Sequence, residues 1–206
     1  MLLWAGVFLI AVGIACLAVD RRAVHFIYEH VSLSSHQLLD KITHLAKAAH
    51  WLVLDLVVLA LSWAWLRLFG SNATVKLMQQ CALAFFGSLA LGSAVLHGIK
   101  LVLGRRRPRD ELDMGRYGFV LLRFDRELNS FPSGHALTIM CVAVLASALW
   151  PHGAALWFAL ALGLASTRAL LNAHFLSDVF VGAGIGLVSA REILVNFFPA
   201  LAPGWF

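Results

Sequence analysis

The sequence predicts an all-α membrane protein, a six-transmembrane-helix bundle with an amphipathic interfacial helix between spans one and two. Of the 206 residues, 61% are hydrophobic and only 13% are charged, whereas a soluble domain carries about a quarter charged residues. Mean hydropathy is +0.83. Apolar runs long enough to cross a bilayer recur between short polar breaks. We therefore expect a single domain, residues 1–206, with its motif-bearing core at about residues 77–198.

The six predicted spans follow one another with few interruptions. The first, residues 2–19, ends at Asp20 and two arginines. It has no basic leader and no clear cleavage site, which favours a retained span over a signal peptide. The other spans are predicted at residues 51–69, 77–104, 136–150, 154–171 and 174–198. In the last span Gly182, Gly184 and Gly186 predict a small-residue packing stripe.

Residues 23–50 are too polar to cross a membrane. Ser34 and Gln37 have the spacing of a helix capping box, and apolar residues then recur on one helical face. This predicts a helix that lies on the membrane surface or covers the bundle. The histidines of the segment form no close pair four residues apart, which favours interfacial histidines over metal ligands. They are His25, His30, His36 and His44.

Two features within the spans are less informative. Asp55 in span two is compatible with a functional role or with a place near the membrane interface. Cys16, Cys81 and Cys141 all fall in apolar runs, which favours small buried residues over disulfide partners or metal ligands.

Positive charge is concentrated in one connection. The formal net charge is +5, and eight of the 16 Lys and Arg residues lie between Lys100 and Arg126. Such a cluster suits phosphate, anionic lipid head groups or nucleic acid. Nucleic acid is disfavoured because predicted spans flank the cluster and no aromatic stacking platform is interleaved with it.

The stretch N-S-F-P-S-G-H, from Asn129 to His135, joins this charged connection to span four. Pro132 favours a first helical turn, and Ser133 and Gly134 leave unpaired N–H groups at a helix start. A helix start of this kind favours an anion. His135 adds a group that can exchange a proton near neutral pH.

Lys100 and Arg107 are seven residues apart. If the helix of span three continues, both side chains project on one face, and Pro108 then ends the helix. They would form an oxyanion-binding surface. The alternative is ordinary snorkelling charge at a membrane edge.

His174 and Asp178 are four residues apart and so share one helix face. A carboxylate that binds one imidazole nitrogen leaves the other free to attack. Arg168 precedes them on the same side of the predicted membrane. The alternative is a helix-capping His–Asp pair.

Three motifs together resemble the type 2 phosphatidic acid phosphatase (PAP2) family. K-L-V-L-G-R-R-R-P (residues 100–108) resembles its K-x6-R-P motif, P-S-G-H (residues 132–135) its second motif, and T-R-A-L-L-N-A-H-F-L-S-D (residues 167–178) its S-R-x5-H-x3-D motif. The order is the family's, and the resemblance covers spans three to six. Thr167 stands where the family usually has Ser.

The resemblance implies a role for each motif residue and no metal or other cofactor. His174 would attack phosphorus, Asp178 would orient it, and His135 would protonate the leaving group and then activate water. The phosphate would be held by Lys100, Arg107, Ser133, Gly134 and Arg168. Since His174 must be neutral and His135 protonated, a bell-shaped pH–rate profile is expected.

The expected function is therefore a lipid phosphatase with a phosphohistidine intermediate. It would take a phosphomonoester or diphosphate lipid of the phosphatidic acid, phosphatidylglycerol phosphate or undecaprenyl diphosphate class from the bilayer. Alternatives are a lipid phosphotransferase or a lipid A phosphatase that uses the same site, and a non-catalytic anion or lipid carrier. The expected partners are membrane lipids and not nucleic acid.

Two arguments give opposite orientations. The positive-inside rule places the Lys100 to Arg126 side in the cytoplasm. The resemblance implies a bacterial inner-membrane protein whose site faces the periplasm, and we adopt this orientation as the expectation because the charge has a catalytic explanation.

Overall fold

The structure is a computed structural model that describes residues 1–122 and 128–206. Within these residues it is mostly helical, with one two-stranded antiparallel sheet. The helices are α1 (Leu2–Cys16), α2 (Asp20–His30), α3 (Leu33–Thr43), α4 (Ala48–Leu68), α5 (Ala73–Val102), α6 (Pro108–Met114), α7 (Gly134–Leu149), α8 (Ala154–Leu170) and α9 (Leu176–Phe197). The strands are β1 (Leu103–Arg105) and β2 (Phe119–Leu121).

Helix α9 occupies the centre of the bundle, where it packs against α1, α5 and α7. Its glycines permit close approach on two faces rather than along one stripe. An ideal Cβ at Gly182 would lie 2.3 Å from the carbonyl oxygen of Ser133, at the start of α7, and one at Gly184 would lie 2.7 Å from that of Gly6 in α1. Gly186 also meets α7.

Each predicted span contains a helix whose ends lie within a few residues of the prediction. By length and composition, three helices in the described residues could cross a membrane, or up to four if α1 and α2 form one bent span. The six-span count therefore stays a prediction. The predicted end of span three, residue 104, was too late, because α5 ends at Val102 and the chain continues as β1, which pairs with β2.

The segment between spans one and two differs most from the prediction. It forms two helices, α2 and α3, instead of one. The predicted capping box was wrong, since Ser32 is the N-cap of α3 and accepts a hydrogen bond from the Ser35 N–H at 3.2 Å. Helices α1 and α2 meet at an angle of 84°, with Asp20 at the bend. Helix α3 packs on α8 and so covers the bundle.

Asp55 lies on the face of α4 that packs toward α5 and α7. It is only 6% exposed, it borders an apolar groove of about 350 Å³, and its Oδ2 has no hydrogen-bond partner within residues 1–122 and 128–206. Cys141 is buried, Cys16 and Cys81 are partly buried, and all three are free thiols.

Candidate active site

His174 lies in the short connection between α8 and α9. Asn172 has a positive φ of 49°, which turns the chain after α8. The backbone N–H groups of Ala173 and His174 both donate to the carbonyl of Arg168 at 3.1 Å. The His174 residue is only 5% exposed, so a tight buried turn holds its ring.

The predicted His–Asp pair is formed, with His174 Nδ1 3.4 Å from Asp178 Oδ2. Asp178 also receives three shorter hydrogen bonds. Arg105 Nη1 donates to Oδ1 at 2.5 Å, while Ser130 Oγ at 2.5 Å and the Phe175 N–H at 2.9 Å donate to Oδ2. The bond from Phe175 makes Asp178 a cap of α9 as well, so the capping and orienting roles coexist.

Burial lowers the pKa of His174 below its ordinary value, although the hydrogen bond and charge of Asp178 oppose that shift. Arg168 and Lys100 lower the pKa further by charge repulsion. The imidazole is therefore neutral at neutral pH. Because Nδ1 is the nitrogen beside Asp178, Nε2 carries the lone pair that is available to a nucleophile.

The loop from Leu128 to His135 is fixed between the motifs. Lys100 Nζ donates to both the backbone oxygen and the side-chain Oδ1 of Asn129, each at 2.7 Å. The Ser133 N–H donates to the Asp178 carbonyl oxygen at 2.9 Å. Because Gly182 lacks a side chain, α9 can approach Ser133 closely. Ser133 is the N-cap of α7, and Gly134 and His135 begin that helix as predicted. The predictions that Pro132 lies in the first turn and that the Ser133 N–H is unpaired were wrong, because Pro132 precedes the N-cap and the Ser133 N–H is bonded to Asp178.

The motif cations converge, but not by the predicted route. Lys100 and Arg107 do not share one continuous helix, because Arg107 follows β1 and precedes α6, which Pro108 begins. They nevertheless lie within electrostatic range of each other, and Arg168 lies within range of Arg107. His135 lies within range of Arg168, Arg107 and His174. We call Lys100, Arg107, Arg168, Ser133 and Gly134 the cationic surface.

Among the residues that the structure describes, two polar atoms of this surface are buried without a hydrogen-bond partner, Ser133 Oγ and Arg168 Nε. The nearby His135 Nε2 is also buried without one. In the part of the chain that the structure describes, none of Lys100, Arg107 and Arg168 forms an ion pair with a carboxylate. Buried polar groups normally have partners, so this arrangement suits an anionic ligand.

The sequence did not predict three residues that lie behind the His–Asp pair: Asp20, Arg105 and Ser177. Arg105 is fully buried and touches Asp178, Asp20 and Ser177. Its position in a run of three arginines did not distinguish it, and Asp20 read only as the end of a span. No local signal in the sequence distinguishes Asp20 from an ordinary charged residue at the end of a span, since Arg21 and Arg22 follow it directly.

The segment before α4 also reaches the site. Lys47 lies within electrostatic range of His135. Thr167, the departure from the family motif, keeps its hydroxyl within 2.9 Å of Thr43 Oγ1 and so ties α8 to the end of α3. Arg123 and Arg126 of the basic cluster lie outside the described residues. Among residues 1–122 and 128–206, no group of three or more His, Cys, Asp or Glu side chains could hold a metal ion.

Comparisons with known proteins agree with these motifs. A family model described as PAP2 superfamily matches residues 82–200, more than half of the chain. The Lipid A 1-phosphatase of Rhizobium etli is 30% identical over 101 residues, which cover 49% of this chain and 44% of that protein. The Lipid A 1-phosphatase of Rhizobium johnstonii is 30% identical over 101 residues, 49% of this chain and 41% of that protein. These matches thus span less than half the length of the curated relatives.

Two solved structures have a similar fold. Aquifex aeolicus LpxE aligns with a TM-score of 0.62 and 18% identity, covering 86% of this chain and 96% of that one. The first transmembrane PAP2 type phosphatidylglycerolphosphate phosphatase from Bacillus subtilis aligns with a TM-score of 0.63 and 20% identity, covering 100% and 97%. At these identities the alignments establish the fold.

Proposed function

The chain belongs to the PAP2 superfamily, and from that premise we propose that it is a membrane lipid phosphatase that works through a phosphohistidine intermediate. The proposal rests on one observation: the buried His174 lies beside a cationic surface on which Ser133 Oγ and Arg168 Nε have no hydrogen-bond partner among the described residues. A nucleophile and an anion site that adjoin in this way suit phosphoryl transfer, which depends mainly on positioning and charge.

The reaction would proceed in two displacements. His174 Nε2 attacks phosphorus, the bond from phosphorus to the lipid oxygen breaks, and His135 protonates the departing alkoxide or phosphate. His135 then takes a proton from water, whose oxygen attacks the phosphohistidine. The P–N bond breaks, phosphate leaves, and His174 regains its lone pair. Asp178 holds the ring and stabilises the positive charge that the imidazole carries when phosphorylated.

The cationic surface would hold the phosphoryl oxygens through both steps. Arg107 and Arg168 supply charge, and Ser133 and Gly134 supply a hydroxyl and a helix-start N–H. Lys100 is already bound to Asn129, so it would position the loop as well as contribute charge.

For the membrane we infer that six helices (α1, α4, α5, α7, α8 and α9) cross the bilayer. Three or four of them qualify by length and composition. The short helices α1 and α7 both pack directly on α9, which supports a common depth in the membrane.

The site would then lie at one membrane face, open to lipids of the bilayer, in a bacterial inner membrane with that face toward the periplasm. A topology reporter fused after Phe206 tests this orientation.

The names of the related proteins support a choice among the candidate lipid substrates. Two are named Lipid A 1-phosphatases, and one similar fold is a phosphatidylglycerolphosphate phosphatase. The 30% identity to the former over the matched region favours a lipid A phosphate among the candidates. Transfer of the phosphate to a second lipid would use the same phosphohistidine, and product analysis with and without acceptor lipids separates it from hydrolysis.

The test is phosphate release by purified protein from a panel of lipid A, phosphatidylglycerol phosphate, phosphatidic acid and undecaprenyl diphosphate. With the preferred lipid, His174→Ala should lower kcat by several orders of magnitude, because it removes the covalent route. The matched control is His152→Ala, which changes an exposed histidine beyond the far end of α7. Activity of His174→Ala within a few fold of the parent protein would refute the mechanism.

A further inference from the structure

Asp20 is a fully buried carboxylate at the bend between α1 and α2. Charged residues at the end of a membrane span ordinarily face water or lipid head groups. Asp20 instead turns into the bundle, where its Oδ1 accepts from the Ser177 N–H at 3.1 Å and its Oδ2 accepts from Ser177 Oγ at 2.5 Å. Ser177 directly precedes Asp178, so these bonds tie the bend to the start of α9.

Arg105 joins Asp20 to Asp178. Its Nη2 donates to Asp20 Oδ2 at 2.7 Å, and its Nη1 donates to Asp178 Oδ1 at 2.5 Å. Tyr117 holds the same guanidinium, with Nη2 3.0 Å from its hydroxyl oxygen. The side chains of Asp20, Arg105 and Asp178 are all 0% exposed. We call Asp20, Arg105, Ser130, Ser177 and Asp178 the Arg105 cluster.

The charges of this cluster have a functional consequence. A guanidinium cannot lose its proton in a protein, so Arg105 paired with Asp178 alone would leave a neutral unit beside His174. The carboxylate of Asp20 adds a second negative charge, so Asp20, Arg105 and Asp178 together carry a net negative charge. A buried net negative charge stabilises a nearby imidazolium much more than a neutral pair does, because little water screens it.

We propose that Asp20 is a positioning residue for the reaction: by neutralising Arg105 it leaves the charge of Asp178 available to His174. This inference rests on the proposed function. Asp20 touches neither substrate nor His174, and it acts through Arg105. A purely structural role, in which Asp20 only fastens α2 to α9, makes different predictions.

The charges around His174 come from several elements. Asp178 faces it from α9, Arg168 from the end of α8, Lys100 from α5 and His135 from α7. Arg105 lies behind Asp178. Removal of the Asp20 charge adds to the net positive surroundings of His174, so the imidazolium becomes less stable and the pKa of His174 falls further.

The experiment compares the parent protein with Asp20→Asn, Arg105→Gln and the double variant, with Asp55→Asn as a matched control that neutralises another buried carboxylate. Two readouts are taken: phosphate release from the preferred lipid, and titration of His174 by NMR of histidine-labelled protein in detergent, assigned with His174→Ala. Thermal unfolding is measured for each variant.

We expect Asp20→Asn to lower kcat by about tenfold or more, with KM within about twofold, since a tenfold loss corresponds to about 1.4 kcal/mol at the barrier. Its His174 titration should move to lower pH. Formal charges for Asp20, Arg105 and Asp178 sum to −1 in the parent protein, 0 in Asp20→Asn, −2 in Arg105→Gln and −1 in the double variant. The double variant should therefore recover both the titration and part of the kcat lost in Asp20→Asn.

A structural role predicts instead that the double variant is no better than the worse single variant and that His174 titrates alike in all of them. That result would overturn the inference, as would an unchanged kcat in Asp20→Asn. If Asp20→Asn is too unstable to purify, the titration of the double variant against that of Arg105→Gln decides. The proposed function fails separately, if the parent protein releases no phosphate in a His174-dependent manner while the titrations still follow the charge count.

Discussion

On one side of His174 every oxygen of the two buried carboxylates, Asp20 and Asp178, accepts a hydrogen bond, and on the other side several buried polar atoms have no partner among the described residues. In the Arg105 cluster both oxygens of Asp178 accept short hydrogen bonds, and Asp20 pairs with Arg105 and Ser177. Among the described residues, Ser133 Oγ and Arg168 Nε of the cationic surface are buried without partners, as is the nearby His135 Nε2. In and beside the Arg105 cluster, Arg105 Nε and His174 Nδ1 also lack a hydrogen-bond partner. The carboxylates that position the nucleophile are thus fully bonded in the free protein, whereas several groups that would meet a ligand remain unpaired.

This difference separates two kinds of defect. A change at an unpaired side chain, such as His135 or Arg168, should lower catalysis with little loss of stability, because it breaks no side-chain hydrogen bond among the described residues. A change at a carboxylate of the Arg105 cluster should lower both, because it leaves a buried partner uncompensated.

Among the changes that test this comparison, the largest effect is expected from His135→Gln, at an unpaired side chain. The variant keeps a polar side chain of similar reach but cannot donate or take a proton, so kcat should fall by about 100- to 10,000-fold. Phosphate release and thermal unfolding are measured together, with His152→Gln as the control. If the midpoint of unfolding of His135→Gln fell together with its activity, His135 would also be needed for stability, and the distinction between the two sides would be wrong.

Arg168→Ala should lower kcat/KM by about 100- to 1,000-fold, the range for loss of one preorganised donor at developing charge. Arg168→Lys should recover part of that loss, since it restores charge without the guanidinium fork. Inhibition by inorganic phosphate should weaken in parallel with the loss of rate. The control is Arg67→Ala, at the far end of α4. Unchanged phosphate inhibition in Arg168→Ala would place Arg168 outside the anion site.

Gly182→Ala tests the contact that holds the two sides together. Its Cβ would lie 2.3 Å from the Ser133 carbonyl oxygen, so α9 and the loop must separate, at a cost of about 1–3 kcal/mol of stability. Activity should fall as well, because Ser133 and Asp178 move apart. Gly163→Ala in α8 is the control, since a Cβ there meets nothing within 4 Å. Equal unfolding midpoints for the two variants would contradict the close packing.

The smallest effect concerns pH. Because the pKa of His174 is lowered by burial, the neutral nucleophile persists to lower pH than an exposed histidine allows. Activity should be lost as pH falls through that lowered value, below the ordinary value of about 6.5. The acidic limb of kcat/KM is measured with two substrates whose phosphate groups titrate differently. If the acidic limb moved with the pKa of the substrate phosphate, or lay above pH 6.5, it could not be assigned to His174.

The motifs predicted much of the site. His174 and Asp178 were paired by spacing, and they are neighbours in the structure. The helical face proposed for Lys100 and Arg107 was wrong, because strand pairing of β1 with β2 ends the helix before Arg107. Periodicity cannot reveal this, since the residues that end the helix are bonded to a strand that lies later in the chain.

The Arg105 cluster was not predictable from local pattern. Asp20 and Arg105 are 85 residues apart, and Asp20 and Ser177 are 157 residues apart. Each reads by itself as a residue at a membrane boundary. Only the packing of α1 on α9, which small residues such as Gly6 and Gly184 permit, brings them into one network.

The turn after α4 divides the chain at Gly70, where φ is 81°. Asp20 lies before this turn, outside the region that the family model matches, while Arg105 and Asp178 lie after it. A chimera made by recombining two related genes at this turn would therefore take Arg105 from one parent and its counter-charge Asp20 from the other. Chimeras that lose the Asp20 counter-charge should show a loss of activity similar to that expected for Asp20→Asn, so these two positions should be exchanged as a unit.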